Sequence, residues 1–217
     1  MEVSDAIRTR RAIKHYDPDH KLNPVELRQL LSAAALAPTS FNIQNRHFIA
    51  VVDQERKNQL QAAAWGQELV RDASVVVVIA GDLKSHEKTN RYLRNASPQV
   101  REKVEPMIAQ FYNDKDALLR DEACRSVGLA AMNLMLTATS LDLDSCPLIG
   151  FDPIQVSQIV CLDEYHPPLM MVVIGKGTKP ARPRLGVLSL EELVSMDTFG
   201  NHSITGKVNE SPLEEAT

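Results

Sequence analysis

The chain has 217 residues, 44% of them hydrophobic, with a formal net charge of −4 and a calculated pI of about 5.9. This length suffices for one sizeable core, so a single compact α/β or α+β domain is the first expectation. The sequence has no basic stripe that could neutralise a phosphate backbone, and we therefore expect no nucleic-acid partner.

Export and membrane insertion are also not expected. The N-terminus lacks the positive and then apolar pattern of a secretory signal. Apolar runs such as Val75–Ala80 and Leu129–Leu136 are much shorter than the ~20 residues of a membrane helix. The cysteines Cys124, Cys146 and Cys161 form no CxxC pair, which is typical of reduced and buried thiols. We expect a cytoplasmic protein.

The first elements in chain order are two helices. Residues Met1–Ile13 predict a short helix. A second helix is expected from Pro24 to about Ala37, because Asn23 can cap its start and Glu26 can reach back to the cap. Pro38 then disfavours helical geometry in the residue before it and ends the helix.

A polar loop and two strands follow. Thr39–Asn45 is rich in hydroxyl and amide side chains and leads into a predicted strand, His47–Val52. Asp53 can cap a helix that runs from Gln54 to about Ala64. The β-branched run Val75–Ala80 predicts a strand that is covered on both faces, in the middle of a sheet.

The second half of the chain is mostly helical. Residues 84–113 predict charged helices interrupted near Ser97, which would form a lid or an excursion. Asp116–Ser140 predicts a long helix whose apolar centre is buried in the core or against a second subunit. A short helix over Asp152–Val160 and a last strand over Leu169–Ile174 complete the series.

The C-terminal part begins with an extended basic segment, Lys179–Arg184, and a helical turn over Ser189–Val194. Residues 203–217 lack apolar periodicity, which predicts a tail that is disordered or draped on a partner. Because there is no repeat or linker, we expect a single domain over residues 1–202.

Several common site motifs are missing from the sequence. It contains no GxxxxGK[ST] phosphate loop and no GxGxxG dinucleotide motif, so a nicotinamide cofactor would have to bind in another way. It also has no HExxH motif, no Cys–His metal spacing and no GxSxG elbow. We expect no metal site and no serine hydrolase chemistry.

Basic residues near the two ends of the chain are candidates for binding an anion. Arg10, Arg11 and Lys14 lie near the start, and Arg182 and Arg184 lie near the end. Guanidinium groups make short, charge-assisted bonds to phosphate, so the two sets would form a phosphate clasp if they meet. Charge alone favours the alternative that they are ordinary solvated side chains.

Five separated segments, in order, resemble the FMN-dependent nitroreductase family from about Ile7 to Leu185. Arg10-Arg11-Ala12-Ile13-Lys14 is similar to the opening R-[RH]-S-x-[RK] of that family, and Ala37–Gln44 is similar to its A-P-S-[SA]-x-N-x-Q loop. Pro147–Asp152 resembles its P-x-x-G-F-[DE] segment. Gln67 and the pair Arg182 and Arg184 stand where the family has a flavin-binding amide and a terminal basic pair.

The resemblance implies roles for these residues. The basic ends would hold the FMN phosphate, and Lys14 would reach the pyrimidine side of the flavin. Gln67 would bond the flavin ring, and the backbone near Ile149 and Gly150 would lie beside flavin N5. The implied cofactor-binding residues are Arg10, Arg11, Ala12, Lys14, Pro38, Thr39, Ser40, Asn42, Gln44, Gln67, Pro147, Leu148, Ile149, Gly150, Arg182 and Arg184.

The resemblance also implies a fold and an activity. The fold would be α+β and nitroreductase-like, with a central, mainly antiparallel sheet flanked by helices. The molecule would be an intertwined homodimer in which the 38–44 loop contacts flavin bound mainly by the other chain. NADH or NADPH would deliver hydride to flavin N5, and a nitroaromatic, quinone or related electrophile would then receive it. No side chain is expected to act as a catalytic acid, base or nucleophile, and Lys14 would give electrostatic support.

Two alternatives stay open at this point. One is a flavin enzyme of the same fold with another task, such as dehalogenation or enone reduction. The other is a non-catalytic FMN-binding or regulatory protein, in which residues 84–113 plug the pocket instead of lining it. The sequence departs from the family pattern at Ala12, at Asn45-Arg46 and at Ile149, and the last two changes are expected to alter charge and shape beside the flavin.

Overall fold

A computed structural model describes residues 1–201 of the chain. The backbone forms two compact units, Met1–Pro180 and Ala181–Thr217, of which the second is described as far as Asn201. The tail expected over 203–217 lies outside the described residues. The assignment of residues 1–202 to a single domain stays a prediction.

The first unit contains a four-stranded antiparallel sheet. Its strands are β1 (Arg46–Val51), β2 (Val75–Gly81), β3 (Asp144–Leu148) and β4 (Pro168–Gly175), in the spatial order β1-β2-β4-β3. Every residue of β2 is buried, as expected for an inner strand that is covered on both faces. The predicted central position of the β-branched run is therefore confirmed.

The helices confirm most of the predicted elements. In the first unit they are α1 (Val3–Thr9), α2 (Pro24–Ala35), α3 (Gln54–Ala63), α4 (Glu68–Asp72), α5 (Thr89–Tyr92), α6 (Pro98–Tyr112), α7 (Asp116–Ser140) and α8 (Pro153–Ile159), with short 3₁₀ turns at Ser40–Asn42 and Ser85–Glu87. The second unit contains α9 (Leu190–Leu193). No helix within residues 1–201 has the length and apolar character needed to cross a bilayer.

The predicted caps fix the starts of two helices. Asn23 Oδ1 accepts the backbone N–H groups of Val25 and Glu26, each at 2.9 Å, and Glu26 accepts the N–H of Asn23. Asp53 Oδ1 accepts the N–H of Arg56 at 2.9 Å at the start of α3. These side chains satisfy N–H groups that a helix cannot pair internally, which is why the sequence located both starts correctly.

Three elements differ from expectation, and one of them is α4 over Glu68–Asp72, which was not predicted. The strand β3 was not predicted, because Pro147 lacks the N–H that a strand needs on both sides; β3 is an edge strand, where that loss is tolerated. The first helix ends at Thr9 and not at Ile13. The chain turns extended there, and Ala12 forms a parallel bridge to Ser145 of β3.

The expectation of buried cysteines is correct for one residue of three. Cys146 is buried in β3, whereas Cys124 and Cys161 are exposed. Cys124 lies on the outer side of α7, next to the fully buried Ala123, and Cys161 lies in the turn after α8 with a φ of 57°. The position of each residue on its element decides its burial, and composition alone does not give that position.

The main hydrophobic core lies between the sheet and the pair α2 and α7. Leu30 of α2 and Leu134 of α7 are fully buried against Val77 and Val172 of the inner strands. On its other side α7 leaves Leu129 48% exposed and Met132 43% exposed. The long helix therefore belongs to the core of this chain and also presents an uncovered apolar strip.

A second, smaller core forms around the excursion of residues 84–113. Its buried members are Ile43, Tyr92, Ile108, Tyr112 and Leu119. The excursion thus packs on Ile43 of the 38–44 loop.

A buried carboxylate connects the excursion to the end of β2. The side chain of Asp82 is only 2% exposed, and it accepts bonds from Lys88 at 2.9 and 3.0 Å and from Arg91 at 3.3 Å. His166, from the turn before β4, lies 3.7 Å from the same carboxylate. These contacts hold the start of the excursion against the sheet.

His86 should make the excursion sensitive to acid. Its side chain is 13% exposed, its ring centroid lies 5.5 Å from that of Tyr112, and its Nδ1 has no hydrogen-bond partner among residues 1–201. Burial lowers the pKa of His86 below its ordinary value of 6.5, with a smaller lowering by Lys84, and outweighs the opposing carboxylates of Glu87 and Asp82. The folded state then binds fewer protons than the unfolded chain just below pH 6.5, so stability should fall as the pH drops through that value.

Urea unfolding at pH 7.5 and 5.5 measures this effect. The loss of unfolding free energy between the two values should be smaller in His86→Phe than in the wild-type protein. The exposed His15 provides a matched control, because His15→Phe should keep the wild-type loss. Equal losses in all three proteins would contradict the assignment.

Candidate functional site

The edge strand β3 brings the basic opening segment next to the 147–150 segment. The N–H of Ile13 donates to the carbonyl oxygen of Ser145 at 3.2 Å, and Lys14 Nζ donates to Cys146 Sγ at 3.1 Å. The segment around Ala12 therefore runs along the outer side of β3. Lys14 lies beside the strand residues that lead directly into Pro147 and Gly150.

Gln67 joins the same group at the far end of β3. Its Nε2 donates to the carbonyl oxygen of Gly150 at 3.0 Å, and the N–H of Asp152 donates to Ala63 at the end of α3 at 2.8 Å. Asp152 also caps α8, and the bonds from the backbone and side chain of Gln155 lower the pKa of its carboxyl group. These contacts fix the turn that carries Gly150.

Donor groups at this turn are available to a ligand. Neither Ile149 nor Gly150 donates its backbone N–H to a backbone carbonyl within residues 1–201. The Ile149 side chain is 78% exposed. Together with Lys14 and Gln67, the end of β3 offers hydrogen-bond donors and one positive charge, a set that suits the carbonyl oxygens and ring nitrogens of a heteroaromatic ligand.

The polar loop of residues 38–44 lies at the opposite edge of the sheet. It leads into β1, and the inner strands β2 and β4 separate β1 from β3, which places the two edges about 14 Å apart at ~4.8 Å per strand. The Asn42 side-chain amide donates to the carbonyl oxygen of Tyr92 at 3.1 Å, and Ser85 Oγ donates to the carbonyl oxygen of Ile43. The loop is thus held by the excursion, away from the group beside β3.

The backbone of this loop is unusual. Phe41, Asn42 and Gln44 all have positive φ, at 49°, 58° and 48°. Asparagine tolerates this region, but it costs a larger L-residue about 1–2 kcal/mol. The Phe41 ring packs edge-on against Phe111 and Tyr112, at centroid distances of 5.3 and 6.2 Å. Contacts with α6 therefore hold the loop in a strained shape that exposes Asn42 and Gln44.

Comparison with known proteins decides the family. The model of the nitroreductase family matches residues 7–176. The chain belongs to the nitroreductase family. Protein DrgA of Synechocystis sp. is 43% identical over 182 residues, covering 83% of this chain and 87% of DrgA. MhqN of Bacillus subtilis, whose suggested activity is that of an NAD(P)H nitroreductase, is 31% identical over 191 residues, covering 84% of this chain and 93% of MhqN.

The fold comparison agrees. A nitroreductase homologue from Exiguobacterium sibiricum, crystallised in complex with FMN, superposes with a TM-score of 0.83 at 28% identity, covering 90% of this chain and 97% of that one. The predicted α+β, nitroreductase-like fold is confirmed, and the described sheet is entirely antiparallel.

The expected phosphate ligands belong to two separate units of the chain. Arg10 ends α1, where its N–H donates to Ala6 at 3.0 Å, and Arg11 follows it half-buried. Arg182 and Arg184 belong to the second unit, in a stretch, 180–189, that forms neither helix nor strand. The convergence of the two basic sets stays a prediction.

Arg46 and Ile149 are the two departures from the family pattern that were expected to change the flavin surroundings. The structure buries one of them. Arg46 is only 6% exposed, and its Nη2 donates to the carbonyl oxygens of Ala35 at 2.8 Å and Ala37 at 2.6 Å. Burial lowers the pKa of the Arg46 guanidinium. Its charge therefore caps the C-terminal end of α2, where helix carbonyls lack partners, and Ile149 is the departure that is exposed at the end of β3.

Sequence reasoning missed two buried hydroxyl residues beside the site. Tyr16 and Ser145 are buried beside Lys14 and Cys146, and their hydroxyl groups have no hydrogen-bond partner within residues 1–201. Burial raises the pKa of Tyr16, and the neighbouring Cys146 and Asp144 raise it further. The signals that could have located them are the pairing of residue 12 with residue 145 and the pairing of residue 16 with residue 177, which join positions 133 and 161 apart.

A separate cleft of about 540 Å³ opens in the excursion. The residues that line it are Lys84, His86, Glu87, Ala109, Tyr112, Asn113, Asp114, Asp116 and Leu119. None of them belongs to the set predicted to bind FMN. No group of three or more His, Cys, Asp or Glu side chains in the described part of the chain is arranged to hold a metal ion.

Proposed function

We propose that this nitroreductase-family chain is an FMN-dependent NAD(P)H oxidoreductase that reduces nitroaromatic, quinone or related electrophilic small molecules. The observation that carries the proposal is the meeting of Lys14, Gln67 and the Ile149-Gly150 backbone along one edge strand. These are the three segments whose counterparts surround the flavin in the family that the sequence resembles.

The residues present fit FMN by their chemistry. Lys14 would bind the pyrimidine side, Gln67 would bond the ring, and the N–H groups of Ile149 and Gly150 would lie beside N5. Arg10, Arg11, Arg182 and Arg184 would hold the phosphate, with Ala12 offering backbone only. When bound, FMN supplies the redox chemistry, taking hydride at N5 from NADH or NADPH and passing it to the acceptor in a second half-reaction.

In this scheme the protein's own groups position the flavin and stabilise the negative charge that develops on it. Lys14 places a positive charge where negative charge develops on the pyrimidine edge. Gln67 restrains the turn at Gly150 through its 3.0 Å bond to the carbonyl oxygen of that residue. No side chain is needed to transfer a proton or to form a covalent bond.

The active molecule in this proposal is a homodimer with shared sites. Residues Pro38, Thr39, Ser40, Asn42 and Gln44 lie at the opposite sheet edge from Lys14, so they would complete the site of a partner chain. The exposed Leu129 and Met132 on α7 support a subunit interface on that helix.

Purification tests the cofactor and the activity. The protein should be yellow, or become yellow on addition of FMN, and its visible absorption should bleach on anaerobic addition of NADH or NADPH. A protein that stays colourless after FMN is added would refute the proposal. A yellow protein that neither nicotinamide bleaches would favour the non-catalytic alternative.

Mixed dimers test the shared site. Lys14→Met and Ser40→Glu place one defect on each side of the proposed pocket, so the two defects combine in one site of a mixed dimer and the other site is intact. Co-expression in equal amounts should restore about a quarter of wild-type activity, since half of the dimers are mixed and each has one intact site. A site confined to one chain would show no recovery above the average of the two single variants.

A further inference from the structure

The chain has one tryptophan, Trp65, and its side chain is unusually exposed. It lies in the turn between α3 and α4, and 73% of its surface is accessible. Tryptophan is a large, mainly apolar side chain that folding normally buries to a high degree. Burial within its own chain therefore does not account for this side chain.

The backbone at Trp65 makes this exposure more unusual. Its φ is 56°, in the left-handed region, directly after the C-terminal cap of α3 at Ala64. Glycine or asparagine normally occupies this position, because a Cβ there is strained. The turn is held by the Trp65 N–H bond to Ala62 at 3.1 Å and by the Gly66 N–H bond to Gln61 at 2.9 Å. The turn would form more easily with glycine, and the indole adds strain without gaining burial.

The indole lies next to the donor group at the end of β3. A Cβ atom placed on Gly150 would lie 3.0 Å from Cζ3 of Trp65 and 3.7 Å from Nε2 of Gln67. The exposed Ile149 precedes Gly150 in the same turn. Strained residues are concentrated at functional sites, and this one borders the backbone proposed to face flavin N5.

We propose that Trp65 determines the acceptor specificity of this site. Its indole face is the surface on which a flat, electron-poor aromatic acceptor, a nitroaromatic or a quinone, stacks when it approaches the flavin. This inference rests on the proposed function and adds to it the side chain that selects aromatic acceptors. An electron-rich indole favours electron-poor rings in offset stacking, whereas an acceptor without a ring gains nothing from it.

Two acceptors and two variants test the proposal. The Michaelis constant is measured for 4-nitrobenzoate and for ferricyanide, which has no aromatic face, in Trp65→Leu and Trp65→Phe. The ratio of the 4-nitrobenzoate KM to the ferricyanide KM should rise about three- to tenfold in the leucine variant, the size expected of one aromatic pair. Phenylalanine should restore most of the wild-type ratio.

A matched control uses another exposed aromatic residue. Tyr165 is 43% exposed, and its ring contacts Lys84 instead of the turn at Gly150. Tyr165→Leu should leave the KM ratio at its wild-type value. A wild-type ratio in Trp65→Leu, or an equal rise in Trp65→Leu and Tyr165→Leu, would overturn the proposal.

Stability provides a second readout. Trp65→Gly should raise the melting temperature by a few degrees, because glycine adopts the left-handed turn without strain, and it should raise the KM ratio as leucine does. A stabilised enzyme with an unchanged ratio would overturn the proposal even though the variant folds well.

Fluorescence separates this inference from the proposed function. Because Trp65 is the one indole in the chain, its emission should be strongly quenched when FMN is added to the apoprotein. FMN binding without quenching would overturn the position assigned to Trp65 and leave the FMN-dependent activity intact. Failure to bind FMN at all would instead refute the proposed function.

Discussion

Replacing Lys14 with methionine should slow reduction of the bound flavin by NADH on the order of a hundredfold, the size of effect seen when one preorganised charge-stabilising donor is removed. Lys14 Nζ is bonded to Cys146 Sγ, and a thiol is a weak acceptor that leaves the positive charge largely uncompensated. No carboxylate within residues 1–201 forms an ion pair with Lys14. The full charge is therefore available to the flavin.

Anaerobic stopped-flow absorbance at saturating NADH measures this rate. Lys14→Arg is the matched control, because it keeps the positive charge and should retain most of the rate. Flavin content is measured in parallel, so that loss of cofactor is not mistaken for slow reduction. A methionine variant that holds a full complement of FMN and reduces at the wild-type rate would refute the electrostatic role.

Replacing Arg46 with leucine should lower the free energy of unfolding by about 2–3 kcal/mol. The substitution removes two charge-assisted bonds to the carbonyl oxygens of Ala35 and Ala37 at the end of α2. It also removes the cost of burying a guanidinium, the same cost that lowers the pKa of Arg46, and this offsets part of the loss. Because Ala37 directly precedes the 38–44 loop, affinity for FMN should fall as well.

Urea denaturation and an FMN titration measure the two effects of the Arg46 change. Arg46→Lys is the informative comparison, since an ammonium keeps the charge but ends one bond short of Nη2, the atom that donates to both carbonyl groups. The lysine variant should lie between wild type and leucine in stability. A leucine variant as stable as wild type would show that Arg46 gives no net stabilisation and would refute its role in stabilising the end of α2.

Local patterns in the sequence predicted the elements that local chemistry determines. The box of Asn23 and Glu26 and the cap Asp53 need only residues within one turn, and all of their bonds form as expected. The run of β-branched residues in β2 required burial on both faces and became an inner strand. In each case the information lies within a few consecutive residues.

The elements that were missed depend on partners far away in the sequence. The segment around Pro147 is a poor strand by composition and forms β3 because β4 lies beside it and its outer side is an edge. Arg46 was expected near the flavin, yet the carbonyls of α2 bind it in the interior. Such choices are settled by tertiary packing, which overrides local propensity.

The candidate site shows the same division. The residue types that suit a flavin could be read from the chain, as with Lys14 and Gln67, and the structure joins both to β3. The contact of Lys14 with Cys146 links residues 132 positions apart, and nothing in either segment specifies it alone. The sequence does not single out Trp65, because its φ of 56° and its exposed ring appear only in three dimensions.

The long helix α7 contributes residues to both the main hydrophobic core and the smaller core. Its 25 residues extend about 37 Å, and Leu119 near one end belongs to the small cluster of the excursion whereas Leu134 belongs to the main core. The smaller core has few buried members, so opening it costs less free energy than opening the main core. We therefore expect the amide hydrogens of residues 84–113 to exchange with solvent before those of the C-terminal half of α7.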